Sequence, residues 1–221
     1  MIEQLRRELS RDNFSFERVE VLEGGRRRHQ DKPVRPARVG GRNTRCVVAV
    51  RLKLVSKGFS EERVRSSLFR LLKENVLCSI ATVTEDQRAH INTAYFCYSD
   101  ELELYFLSDP GSLHCQNLSS NSSMAMAIFP SSQQWGGPDR GVQLFGTCTQ
   151  ASGPQATKAQ RLYVERFPAY LKWSAGLNED DVGRGLQFYQ FLVSRVKVLD
   201  ESEFGEAVFV IADVRRGKGL S

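Results

Sequence analysis

Hydroxyl and imidazole groups cluster in one short segment of this 221-residue sequence. The segment SDPGS at 108–112 has the residues of a turn that leaves a β-strand and begins a helix at Ser112. A helix start exposes unpaired N–H groups and the positive end of the helix dipole, and both favour a phosphate group. The hydroxyls of Ser108 and Ser112 and the ring of His114 can add hydrogen bonds. The same residues also form a good turn and helix cap for structural reasons alone, so both interpretations stay open.

The other chemically active residues form no recognisable catalytic or metal-binding motif. The sequence contains no P-loop, no GxSxG elbow and no HExxH motif. His114 and Cys115 are adjacent, but neighbouring residues on a helix point in different directions. This argues against a Cys–His nucleophile and against a metal site, and we expect no metal. No residue is assigned as a catalytic acid or base.

The composition is that of a globular protein with one full core. Hydrophobic residues make up 41% of the chain, and no apolar run reaches the ~20 residues that a membrane span requires. The five cysteines include no CxxC pair, which predicts free thiols in a reducing compartment. The beginning of the chain carries charges where a signal peptide has an apolar centre. We therefore expect a cytoplasmic protein with no membrane partner.

Short β-strands surround the SDPGS segment and must position it. Residues 77–152 contain five strand-like runs: LCSIATVT, AHINTAYFCYS, ELELYFLS, SMAMAIF and GVQLFGTCTQAS. Two more follow, QFYQFLVSRVKVLDES and EAVFVIADV, and the close spacing of short strands is typical of a barrel. Apolar spacing predicts helices over 61–75 and from Ala156 to Phe167. The sequence thus predicts a mainly β fold with flanking helices and a barrel of about six or seven strands.

Positive charge is concentrated at the beginning of the chain. Residues 1–57 contain 15 Lys and Arg against 7 Asp and Glu, a net charge of +8, whereas the whole chain carries +5. They show little hydrophobic periodicity, so we predict a basic, disordered leader over 1–57 and one domain over 58–221. Clustered arginines also allow a nucleic-acid-binding arm, and only this leader supports a nucleic-acid partner. The run CVVAVRLKLV at 46–55 alternates well enough to be an added strand, which leaves the boundary open.

The order of these elements resembles the pyridoxamine 5′-phosphate oxidase-like family of flavin-binding split barrels. The resemblance rests on HINTAYFCYSDELELYFLSDPGSLHCQNLSSNSSMAMAIF followed by RGVQLFGTCTQASG, and covers about residues 60–212. RGVQ followed by a helix ending in RFP is most similar to a small uncharacterised bacterial subgroup. The family implies a split β-barrel of the FMN-binding type and a homodimer with FMN between its subunits.

The same resemblance implies a flavin-dependent oxidoreductase that acts on a small-molecule substrate. The family's C-terminal arginine and tryptophan pattern, which recognises pyridoxal phosphate, is not evident, so pyridoxamine phosphate oxidase activity itself is not expected. A non-catalytic protein that binds a flavin, a deazaflavin or haem is the alternative. A nucleic-acid-associated protein that uses the basic leader is a second alternative.

The resemblance also implies which residues contact the flavin: Asn92, Thr93, Ala94, Leu107, Ser108, Ser112, His114 and Gln143. The strand with Asn92, Thr93 and Ala94 would follow the isoalloxazine ring, and Gln143 would reach FMN from a neighbouring strand. The other four residues would surround the phosphate. Leu113 and His114 stand where the family has basic residues, and Cys97 stands near another expected lysine. Each lost cation removes a charge-assisted hydrogen bond of ~1.5–3 kcal/mol, which predicts a weakened phosphate site.

Overall fold

The computed structural model describes residues 50–175 and 185–216. The chain divides into two units, residues 1–44 and 45–221, and all described residues belong to the second unit. The strands in this part are β1 Arg51–Leu54, β2 Leu77–Val83, β3 Ala89–Tyr98, β4 Glu103–Ser108, β5 Ser123–Ile128, β6 Arg140–Gln150, β7 Gln187–Asp200 and β8 Phe209–Arg215. The helices are α1 Glu61–Glu74, α2 Leu113–Ser120, α3 Gly153–Arg166, α4 Ala169–Ala175 and α5 Glu201–Phe204.

Six of these strands close a barrel. Neighbouring strands are antiparallel in the order β7-β4-β3-β2-β5-β6, and β6 pairs back onto β7. The long strand β7 pairs with β4 along its first half and with β8 along its second half. β8 pairs in turn with β1, so the sheet continues beyond the barrel. This topology confirms the predicted split β-barrel with flanking helices.

The main hydrophobic core fills the barrel, and α1 packs against it. The helix begins after Ser60, whose hydroxyl accepts a hydrogen bond from the backbone N–H of Arg63. The predicted helix over 61–75 is confirmed to within one residue. Its apolar spacing places one face in the core, with five buried residues: Val64, Ser67, Leu68, Leu71 and Leu72.

A second, smaller core lies between the barrel and α3. It consists of six buried residues from β3, β4, β7 and α3 or its approach: Cys97, Tyr105, Ala151, Ala159, Tyr163 and Phe188. Lys158 of α3 also forms ion pairs with Glu101 and Glu103, which fix the helix to the β4 side of the barrel. No helix in the described ranges combines the length and the apolar character that crossing a membrane requires.

The domain includes a strand that the sequence prediction assigned to the leader. β1 pairs with β8 along its whole length, from Arg51 opposite Arg215 to Leu54 opposite Ala212. Leu52 is 3% exposed and belongs to the barrel core. The predicted boundary at residue 57 is therefore corrected to before residue 50, because alternation in β1 points Leu52 into the core. The rest of the predicted leader, residues 1–49, lies outside the described residues.

Candidate functional site

Three of the predicted phosphate residues form one hydrogen-bonded cluster. Nε2 of His114 lies 2.7 Å from Oγ of Ser108 and 3.3 Å from Oγ of Ser112, and the two hydroxyl oxygens lie 3.4 Å apart. β4 ends at Ser108 and α2 follows Ser112, so the turn between them holds the three side chains together. His114 is 6% exposed, which places its ring inside the protein. The predicted turn and helix start are confirmed.

Ser112 occupies the N-cap position of α2 without capping the helix through its side chain. Its hydroxyl donates instead to the backbone carbonyl oxygen of Asp109 at 2.7 Å. The predicted capping role is therefore wrong. Because the Ser112 hydroxyl satisfies none of them, the first N–H groups of α2 stay available as donors at the positive end of the helix dipole.

Cys115 and Tyr189, which are not among the predicted flavin residues, lie beside this cluster. Burial acts to raise the pKa of the Cys115 thiol, but hydrogen bonds with His114, Ser112, Tyr189 and Ser108 outweigh it. The pKa falls from 9.0 to about 7. The His114 ring is hydrogen-bonded to Ser108, whereas the Cys115 side chain belongs to the barrel core beside them. Tyr189 comes from a distant strand, and only the barrel topology brings it here.

We expect the stability of the fold to depend on pH through Cys115. Its pKa is about 7 in the folded protein and 9.0 without the fold, so the unfolded state binds more protons between these values. The free energy of unfolding should therefore rise by about 2 kcal/mol as pH increases from 7 to 9, and this gain is lost as pH falls through 7. Urea unfolding of the parent and of Cys115→Ala across this range measures the effect. An identical pH dependence in both proteins would contradict the cluster as described.

A second set of predicted residues lies on the outer face of the sheet. Thr93 pairs opposite Ser79, Ser79 opposite Ala127, and Ala127 opposite Gln143, so these four residues form one row across β3, β2, β5 and β6. Since neighbouring strands are ~4.8 Å apart, the row spans about 14 Å. Thr93 and Gln143 are exposed at its ends. The small side chains of Ser79 and Ala127 between them project little from the sheet.

The surroundings of this outer row are largely apolar. Leu77, Ile91, Tyr95 and Phe129 are each at least half exposed. A cavity of about 540 Å³ opens beside the end of α1 over Thr93, Ser79 and Ala127 of the row. Its lining also includes Arg140 and Glu74, whose side chains form an ion pair at 3.2 Å. Apolar walls with a few polar groups are typical of sites for small molecules and cofactors.

The remaining predicted residues point elsewhere. Asn92 and Ala94 pair opposite the buried residues Ile80 and Cys78, so their side chains face the barrel side of β3. Leu107 is partly buried against the second core beneath α3. The eight predicted residues thus divide into three groups. Ser108, Ser112 and His114 form what we call the Ser–His cluster, Thr93 and Gln143 are the two ends of the outer row, and three residues lie outside both.

The sequence from residue 66 to residue 200 matches the family described as pyridoxamine 5′-phosphate oxidase. This match covers more than half of the chain, and the chain belongs to that family. A search of curated proteins gives no match.

Solved structures share the fold at low sequence identity. A conserved hypothetical protein from Mycobacterium tuberculosis is 14% identical with a TM-score of 0.52, over 71% of this chain and 94% of that one. A heme binding protein from Mycobacterium smegmatis is 15% identical with a TM-score of 0.52, over 73% of this chain and 60% of that one. A Clostridium acetobutylicum protein of the pyridoxinephosphate oxidase family, related to general stress protein 26, is 9% identical with a TM-score of 0.51, over 71% of this chain and 96% of that one. These similarities show the fold.

Proposed function

We propose that this protein binds FMN on the outer face of its sheet, between two copies of the chain, and serves as an oxidoreductase for a small molecule. The outer row is the observation that carries the proposal. A flat ring system needs an apolar bed with hydrogen-bonding groups at its edges. The small residues Ser79 and Ala127 would leave room for the ring, the exposed apolar side chains around the row would contact it, and Thr93 and Gln143 would provide the polar edges.

The Ser–His cluster offers hydrogen-bond donors to a phosphate, but it lacks the basic side chains that the family has there. Ser108 and the first N–H groups of α2 are suitable donors, whereas the Ser112 hydroxyl already donates to the carbonyl oxygen of Asp109. Leu113, at the position where the family has a basic residue, is about half exposed and adds no charge. We therefore expect FMN to gain little affinity from its phosphate.

A second copy of the chain would cover the apolar side chains around the row. Exposed apolar patches on a soluble protein mark interaction surfaces, and stable interfaces bury about 1,200–2,000 Å² in total. Ile91 is 70% exposed and Tyr95 54%, which supports burial of this face in a homodimer. Such an arrangement would exclude water from the row.

Bound FMN would supply hydride-transfer chemistry. The chain's own contribution would be to hold the ring flat against β2 and β5 and to hydrogen-bond its edges through Thr93 and Gln143. Haem, which one solved neighbour binds, is the alternative ligand. Among the described residues, His114 is hydrogen-bonded inside the protein and His90 pairs opposite Thr82 on the barrel side of β3. Neither histidine lies on the row, so the row favours a flavin.

Titration of FMN and of riboflavin, followed by quenching of flavin fluorescence, tests this proposal. Ala127→Leu raises the floor of the row, and we expect at least about tenfold weaker binding of both ligands, equivalent to 1.4 kcal/mol. Leu113→Arg adds a cation at the start of α2, and we expect tighter binding of FMN with no change for riboflavin.

Two matched variants control for general effects of size and charge. Ala169→Leu makes the same change on the exposed surface of α4, and Gln116→Arg places the same cation further along α2. Both should keep the parent's affinities. Unchanged binding by Ala127→Leu would move the site away from the row, and a parent that binds neither flavin would overturn the proposal.

A further inference from the structure

The outer face continues past β6 onto β7, β8 and β1, where its side chains become basic. Strand alternation and register bring five cations to this face with a single carboxylate, Asp213. We call it the basic face, and its cations are Arg51, Lys53, Arg195, Lys197 and Arg215.

The cations of the basic face come from three separate parts of the sequence. Arg51 pairs opposite Arg215, and Asp213 lies between Lys53 on one side and Arg195 on the other. The side chains of Arg195 and Arg215 are 56% and 62% exposed. Composition places the positive excess in the leader alone, because the register that joins these strands is not visible in the sequence.

Asp213 neutralises only part of this charge. Its carboxylate oxygens lie 2.9 Å from Nε of Arg195 and 3.8 Å from a terminal guanidinium nitrogen of Arg215. The hydrogen bond from Arg195, supported by the charges of Arg215 and Lys53, lowers the pKa of Asp213. Within the described residues, the other three cations of the face have no ion pair. A positive field therefore remains.

Two aromatic rings lie among these cations. Phe145 pairs opposite Arg195, and Phe209 has Nζ of Lys197 at 4.1 Å from its ring centroid. The phenylalanines are 38% and 41% exposed. A shallow concavity of about 690 Å³ is lined by Phe145, Arg195, Arg215 and Lys197, among others. The face thus combines fixed positive charge with rings that a flat group can contact.

We propose that the basic face binds single-stranded nucleic acid, with phosphates on the cations and bases against Phe145 and Phe209. Positively charged surfaces with interspersed aromatic rings are the general solution for binding single strands, because every base can stack. The exposed rings favour a single strand over a double helix, because bases that are paired and stacked within a duplex cannot stack on them. A second copy is a poor occupant, because a two-fold axis through this face would place its cations against the same cations.

Fluorescence anisotropy of a labelled single-stranded oligonucleotide of mixed sequence, with the full chain, tests the proposal. The variant Lys53→Glu/Lys197→Glu reverses the charge of two cations of the face, neither of which has an ion pair among the described residues. We expect at least about tenfold weaker binding at low salt and a salt-dependence slope reduced by about 1.4, at ~0.7 for each lost phosphate contact. Phe145→Leu should weaken binding without changing the slope, because it removes stacking and no charge.

The control Lys73→Glu/Lys172→Glu makes the same change in net charge on α1 and α4. It should bind the oligonucleotide within about threefold of the parent, since long-range charge alone has a modest effect at moderate salt. An equal loss in the control would mean that net charge or the leader accounts for binding, and would overturn the proposal. No oligonucleotide binding by the folded parent would also overturn it, as would binding only to phosphatidylserine vesicles.

Discussion

Replacing Gly146 with alanine is expected to prevent the barrel from closing. A Cβ atom at this position would lie 2.0 Å from the backbone oxygen of Leu192 and 3.1 Å from Cα of Val193. Neither neighbour is the end of a side chain that can rotate away. The clash falls in the β6–β7 pairing, where the register shifts between Phe145 and Gly146 around the extra residue Ser194. Only glycine allows the two backbones to approach this closely.

We expect Gly146→Ala to lose at least about 4 kcal/mol of stability, which is close to the whole stability of many domains. Circular dichroism during heating measures the loss. The control is Gly136→Ala, where φ is +84° and no other atom lies within 4 Å of the added Cβ. Backbone strain alone should cost that variant about 1 kcal/mol. A Gly146→Ala protein that melts with the parent would contradict the described closure of the barrel.

Deleting residues 1–57 is expected to destabilise the domain by about 4 kcal/mol or more, because it removes two buried side chains worth ~1.5–3 kcal/mol each. These are Val50 and Leu52, both in the barrel core. The deletion also removes the hydrogen bond from the Leu52 N–H to Glu61, at 2.7 Å, and leaves the edge of β8 unpaired. Composition alone favours the opposite result, since residues 1–57 have the character of a leader.

A deletion of residues 1–44, at the boundary between the two units, is the matched control. The difference in melting temperature between the two deletions isolates residues 45–57. Leu52→Ala should lose about 2–5 kcal/mol in the full chain, whereas Lys53→Ala, on the exposed side of the same strand, should change stability little. Equal melting temperatures for both deletions would show that β1 contributes nothing to the core.

The barrel strands and α1 are predictable from sequence because their information is local. Alternation identifies strands such as β5, and Ser60 followed by acidic residues identifies the start of α1. β1 is harder to assign, because the alternation at 46–55 lies inside a segment with the composition of a disordered leader. Only pairing with β8 shows that Leu52 is a core residue.

Features that depend on the register between strands could not be predicted from the sequence. The outer row needs the pairing of four strands before Thr93 and Gln143 can be placed on one line. The approach of Tyr189 to Cys115 needs the closed barrel, since these residues lie far apart in the chain. The hydroxyl of Ser112 shows a different limit. Its position at the helix start was correct, but its hydrogen bond to Asp109 depends on the conformation of the turn.

The visible absorption spectrum of the freshly purified full chain tests the flavin proposal most directly. We expect flavin bands, with FMN released on denaturation and identified by chromatography, and uptake of added FMN by any colourless fraction. A haem Soret band, or a folded colourless protein that takes up no FMN, would contradict it.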